Sequence, residues 1–177
     1  MPDSYVHFII DANNQIIGTS EAWNDFARAN GGEHLSNPIG KNLWDLIHDD
    51  GVRLLYAALF QDIRYTEANK ISFTYHCDGP DEKREFRMLL EGNELGEIQI
   101  SNLLLNKEPN TPEGYLSYTS NPKTIQICPQ CLKLKINDLW ISVHKALAGA
   151  EIMKDNVYFK FERALCDQGH DTMQPPQ

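Results

Sequence analysis

The chain has 177 residues, of which 41% are hydrophobic, with 16 lysines and arginines against 25 aspartates and glutamates. This size and composition are typical of a globular protein that can bury a core without a disulfide scaffold. A formal net charge of −9, without a cluster of basic residues, argues against nucleic acid or an anionic membrane as a partner.

Two features of the sequence bear on the cellular compartment. The longest uninterrupted apolar run, residues 54–60, is seven residues long, which is far short of the ~20 residues that span a bilayer. The first residues lack the basic stretch and the apolar segment of a signal peptide. We therefore expect a cytoplasmic protein without a membrane-spanning segment.

The first thirty residues predict a β-hairpin followed by a short helix. Residues 5–18 contain two stretches rich in β-branched and aromatic side chains, joined by turn-forming Asp and Asn residues. Thr19 or Ser20 can cap a helix on which Trp23 and Phe26 recur at helical spacing.

A longer helix and three strands are predicted next. The helix should begin near Asp49, because apolar residues then recur on one stripe, at Val52, Leu55, Tyr56, Leu59 and Ile63. Alternating apolar and polar residues predict strands at 71–77, 86–90 and 98–100. This order of elements predicts an α+β fold, with a five-stranded antiparallel sheet and helices on one face.

The composition changes after the last of these strands. Residues 106–122 contain four Pro and Gly residues among Ser, Thr and Asn, which is typical of a linker. We therefore expect a first domain over 1–105, this linker, a small cysteine-containing module over 123–172 and a disordered tail over 173–177.

Three of the four cysteines lie in the small module, in a pattern typical of structural zinc. Cys128 and Cys131 form a C-x2-C pair, and Cys166 and His170 follow in a distant segment. A C-x2-C pair lets two thiolates reach one ion from a tight turn, and a second pair completes a tetrahedron. Paired cysteines in a cytosolic chain favour a metal over a disulfide. We predict a zinc-ribbon-like site formed by these four side chains.

Alternatives exist for the fourth ligand and for the chemistry of the pair. Asp167 or His144 could replace His170, and the cysteines could also be unligated. The Cys128–Cys131 pair is similar to a glutaredoxin-type active site, which makes a thiol–disulfide redox protein the second hypothesis. About fifty residues follow the pair, too few for a thioredoxin-like fold, so the metal site is preferred.

Four segments of the first domain resemble a PAS sensory domain. Residues 11–17 are similar to its opening hairpin, and residues 21–27 to the first helix of the branch with an N-x-A-W-x-x-F-A signature. Residues 47–50 resemble the start of its long helix, with Asp49 where Pro is usual. Residues 75–86 resemble the strand turn that reads Y-P-C-H-S-P-x-x-x-R-W-F.

The PAS resemblance implies a sensing or protein-interaction module whose sheet and helices enclose a small cavity. Trp44, Tyr75 and Met88 are the residues that we expect to line it and to bind an unidentified small molecule, although the same side chains could simply fill a core. The G-x-N-C-R motif of flavin-photosensing relatives is absent. His48 lies where the family's histidine is usually structural, so haem is not expected.

The small module resembles a short cysteine module that is attached to bacterial PAS signalling proteins and reads I-C-x-x-C-K-x-I…W…F-S-H-G-x-C-P-x-C. Residues 127–133 and Trp140 match its first half, and residues 161–166 match its second half loosely. The family's fourth cysteine falls at Gly169, one residue before His170. The resemblance implies a non-enzymatic bacterial signalling module that acts on a kinase, cyclase or regulator, or forms a homodimer.

Overall fold

The computed structural model describes four stretches of the chain, residues 5–29, 32–120, 122–148 and 158–167. The predicted fourth ligand His170 and the predicted tail over 173–177 lie outside these stretches. No helix within the four stretches is long and apolar enough to cross a membrane.

Five strands form the first sheet, and they are β1 Tyr5–Ile10, β2 Ile16–Thr19, β3 Lys70–His76, β4 Glu82–Gly92 and β5 Ile98–Pro109. Their spatial order is β2-β1-β5-β4-β3, and every neighbouring pair is antiparallel. The last strand returns beside the first, so that Phe8 lies opposite Ile100. The predicted α+β fold with a five-stranded antiparallel sheet is confirmed.

The segment between β2 and β3 forms three α-helices, which are α1 Trp23–Ala29, α2 Leu43–Leu46 and α3 Asp50–Tyr65. The long helix α3 begins next to Asp49, as the sequence predicted. Asp49 caps the helix, because its side chain accepts a hydrogen bond from the backbone N–H of Val52 at 2.8 Å. Phe8, Met88 and other alternate residues of the first sheet share one core with α3.

Four further strands form a second sheet, and they are β6 Lys123–Ile127, β7 Leu134–Ile136, β8 Leu139–Ile141 and β9 Phe159–Arg163. Their spatial order is β8-β7-β6-β9, and β9 runs parallel to β6. A short helix, α5 Val143–Ala148, follows β8.

The linker predicted over 106–122 contains the end of β5 and a helix, α4 Pro112–Ser120. Proline is favoured in the first turn of a helix, where its missing N–H is not needed. The hydroxyl of Thr111 accepts a hydrogen bond from the backbone N–H of Gly114 at 3.1 Å. These two residues start a helix in a stretch whose composition indicates a linker.

Helix α3 is buried on more sides than its predicted stripe, because both sheets pack against it. Leu54 and Ala58, which lie outside the stripe, are buried, and Ile125 and Leu134 of the second sheet belong to the same core. At Gly51 the approach is so close that a Cβ atom would overlap the backbone carbonyl of β9. The two sheets are therefore joined through one helix.

We expect Gly51→Ala to lower the free energy of unfolding by about 1–3 kcal/mol, because the added methyl group overlaps the carbonyl oxygen of Phe161. Helix propensity alone would make the same change stabilising by about 1 kcal/mol, so the sign of the effect is informative. Urea unfolding measures it.

Gly79→Ala is the matched control for this substitution, because the nearest atom to a Cβ at Gly79 lies 3.9 Å away. Equal unfolding midpoints for the two variants would contradict the close packing of α3 against β9.

Candidate metal centre

Parallel pairing of β6 with β9 brings Cys128 and Cys166 to the same edge of the second sheet. Cys128 follows β6 directly, and Cys166 lies three residues after the end of β9. Ile127 is paired with Arg163, and the N–H of Ala164 donates to the carbonyl of Ile127 at 3.1 Å. Because parallel strands end at the same edge, residues far apart in sequence meet there.

A tight turn over residues 128–133, here called the cysteine turn, brings Cys131 close to Cys128. The N–H of Leu132 donates to the carbonyl of Cys128 at 2.8 Å, and the N–H of Cys128 donates to the carbonyl of Lys133 at 3.0 Å. Leu132 has a φ of 55°, in the left-handed region that costs a side chain about 1 kcal/mol. The two hydrogen bonds hold this residue in that conformation.

The sulfur atoms of Cys128, Cys131 and Cys166 form a compact group, here called the cysteine cluster. All three lie within 4.8 Å of one another, and the sulfurs of Cys131 and Cys166 are 3.6 Å apart. Tetrahedral zinc with Zn–S bonds of about 2.3 Å places two thiolate sulfurs about 3.8 Å apart. A disulfide would place them at about 2.05 Å. The three cysteines are therefore close enough to bind a metal ion.

The thiols of Cys128 and Cys131 have pKa values shifted in opposite directions. Burial alone would raise the pKa of the Cys128 thiol, but hydrogen bonds to its sulfur, mainly from the backbone N–H groups of Cys131 and Cys166, outweigh burial and lower that pKa to about 6. Burial raises the pKa of the Cys131 thiol to about 11, and its contacts with the other two sulfurs add to the rise. Of these two thiols, Cys128 is therefore the stronger acid.

The described residues do not supply the predicted fourth ligand. His170 lies outside them, and neither Asp167 nor His144 belongs to the group of side chains within 4.8 Å of one another. Asp167 is exposed. The ring Nδ1 of His144 lies 2.8 Å from a carboxylate oxygen of Asp62.

Two residues of α3 contact the small module although the sequence analysis did not single them out. The side-chain amide of Gln61 donates to the carbonyl of Cys131 at 3.3 Å, which ties the cysteine turn to α3. The buried carboxylate of Asp62 accepts from the backbone N–H of His144, also at 2.8 Å, and contacts its ring. The sequence contained one indication of this contact. An aspartate lies next to the apolar stripe of the helix, and a buried carboxylate needs hydrogen-bond partners.

The residues expected to line a ligand cavity pack within the core of the first sheet. Met88 is buried, and Trp44 packs against the same core. The ring of Tyr75 stacks on Phe86 with 5.6 Å between centroids, and its hydroxyl donates to Asn102 at 2.9 Å. Burial raises the pKa of Tyr75, which keeps the phenol neutral. Their role in ligand binding stays a prediction.

No protein-family model and no curated protein matches the chain. The function is therefore argued from the geometry of the cysteine cluster and from the residues of the first sheet.

We expect Asp62→Asn to lower the free energy of unfolding by about 2 kcal/mol. The substitution replaces the buried carboxylate that contacts both the backbone N–H and the ring of His144 with an amide. Urea unfolding measures the loss. Asp25→Asn makes the same chemical change at an exposed ion pair with Arg28, where little effect is expected. Indistinguishable stabilities of the two variants would show that Asp62 does not fix α5 to α3.

Proposed function

We propose that this chain is a sensory or signal-transduction module of the PAS type, with a structural zinc site in its C-terminal part. The observation that carries the zinc site is the convergence of three thiol groups within 4.8 Å at the ends of two parallel strands. The sensory half is supported by the motif residues and by the order of strands and helices in the first sheet.

The residues present fit a zinc ion in a structural role. Thiolates are preferred zinc ligands, and zinc deprotonates the thiols that bind it. Cys128, Cys131 and Cys166 would hold the ion, and we assign His170 as the fourth ligand from the sequence. Four protein ligands leave no open position for a substrate, so the ion would stabilise the fold and not catalyse a reaction.

Signalling by this module would be non-covalent. We infer that a small molecule bound near Trp44, Tyr75 and Met88, or a change at the sheet surface, alters contact with a partner protein. The partner would be a kinase, cyclase or regulator of the bacterial cytoplasm, or a second copy of the chain. One face of the first sheet packs on α3, and Tyr5 on the opposite face is exposed, which leaves this surface for such a contact.

Metal content per chain tests the zinc site on protein that is purified without a chelator. We expect about one zinc per chain in the unaltered protein and none in Cys166→Ser, which loses a thiolate ligand. Cys77→Ser is the matched control, because Cys77 is exposed and lies outside the cysteine cluster. Four free thiols and no metal in the unaltered protein would contradict the proposal.

His170→Ala tests the fourth ligand separately from the three thiolates. Loss of zinc would assign His170, whereas retained zinc would keep the site and transfer the fourth position to another group.

A thiol–disulfide redox protein is the second candidate function, and one observation favours it. Hydrogen bonds to its sulfur lower the pKa of Cys128 to about 6, and a lowered thiol pKa is typical of the reactive cysteine of C-x-x-C redox proteins. Cys128 is, however, 0% exposed, which closes it to a disulfide substrate.

Cys128→Ser separates the two candidates. The zinc site predicts loss of metal and of order in the C-terminal part of the chain, whereas the redox function predicts an intact fold that no longer reduces insulin disulfides.

A further inference from the structure

The three thiols of the cysteine cluster differ in how far solvent reaches them. Cys128 is 0% exposed and Cys166 is 8% exposed, whereas Cys131 is half-buried at the surface. A small reagent in solution therefore meets the sulfur of Cys131 first. The sulfur of Cys166 lies 3.6 Å from it, in van der Waals contact.

We propose that the cysteine cluster has a second, oxidised state, in which hydrogen peroxide joins Cys131 to Cys166 as a disulfide and the metal ion leaves. The release of the ion rests on the zinc site proposed above. The formation of the disulfide does not depend on the zinc site and needs only hydrogen peroxide and the two neighbouring thiol groups.

The reaction takes two balanced steps. The sulfur of Cys131 attacks one oxygen of hydrogen peroxide and the O–O bond breaks. The hydroxide that leaves takes up the thiol proton of Cys131 to form water, so Cys131 becomes a sulfenic acid. The sulfur of Cys166 then attacks the sulfur of Cys131, the S–O bond breaks, and the second hydroxide leaves as water with the remaining proton. Two thiols are oxidised, and one peroxide is reduced to two waters.

Contact between the sulfurs of Cys131 and Cys166 makes Cys166 the partner of Cys131, and the backbone of Cys128 is held in place on both sides. The backbone N–H and carbonyl of Cys128 are both hydrogen-bonded within the cysteine turn, and its strand β6 lies between β7 and β9. Cys166 follows an edge strand, in a segment without helix or strand. The sulfurs of Cys131 and Cys166 lie 3.6 Å apart, so they must approach by about 1.5 Å to reach the disulfide distance of about 2.05 Å.

The oxidised state would lose the ion and keep the connection between the strands. A disulfide between Cys131 and Cys166 removes two of the three thiolate ligands, so zinc is no longer held. The same bond joins residues that are 35 positions apart and so restrains the unfolded chain. The end of β9 stays attached to the cysteine turn in both states.

The test treats zinc-loaded protein, prepared without oxygen, with about one equivalent of hydrogen peroxide. A chromogenic zinc chelator follows release of the ion, and peptide mass mapping without reductant locates the disulfide. We expect loss of the bound zinc in parallel with a Cys131–Cys166 disulfide, and recovery of zinc binding after reduction by dithiothreitol. Cys77→Ser should behave identically, because its exposed thiol lies outside the cluster.

Three results would overturn the inference: retained zinc, release that accompanies a Cys128–Cys131 disulfide, or release with sulfinic acid and no disulfide. Failure of the proposed zinc site gives a different result. A chain that never binds zinc cannot release it, but peptide mass mapping of the peroxide-treated, metal-free protein would still decide whether Cys131 pairs with Cys166.

Discussion

Burial of helix α3 between the two sheets is the constraint on which the rest of the structure depends. The helix presents Leu55 and Leu59 within the core of the first sheet, and the same core extends to Ile125 and Leu134 of the second sheet. Close approach at Gly51 leaves no room for a side chain against β9. Because one helix serves both sheets, neither sheet can move relative to α3 without opening the shared core, and interiors packed at this density resist such movement.

The cysteine cluster depends on this packing because β9 is an edge strand of the second sheet. Its partners are β6 on one side and α3 across its face, and both fix where Cys166 lies. The cysteine turn is held from a third direction by the amide of Gln61, which comes from α3. The geometry of the three sulfurs is therefore a consequence of long-range packing, whereas a short cysteine turn alone would place only Cys128 and Cys131.

Local patterns in the sequence were sufficient for the first sheet and insufficient for the second. Alternation predicted β3, β4 and β5, and the apolar stripe with Asp49 as its cap predicted the start of α3. The second buried side of α3 and the parallel pairing of β9 depend on contacts between residues far apart in sequence, which periodicity does not encode. The spacing of Cys128 and Cys131 identified the cysteine turn, but the contact between Asp62 and His144 had no signal beyond an acid beside an apolar stripe.

The pKa values of the cysteine thiols depend on the folded state, because folding brings the three sulfurs together. Three sulfurs within 4.8 Å cannot all carry a negative charge in a partly buried site without a cation, which agrees with a low pKa for Cys128 and a high pKa for Cys131. The zinc ion that we propose would remove that restriction, so its binding would release protons and stabilise only the folded arrangement that brings the sulfurs together. Since α3 belongs to this arrangement and to the first sheet, free energy gained at the proposed metal site would also stabilise the proposed sensory half.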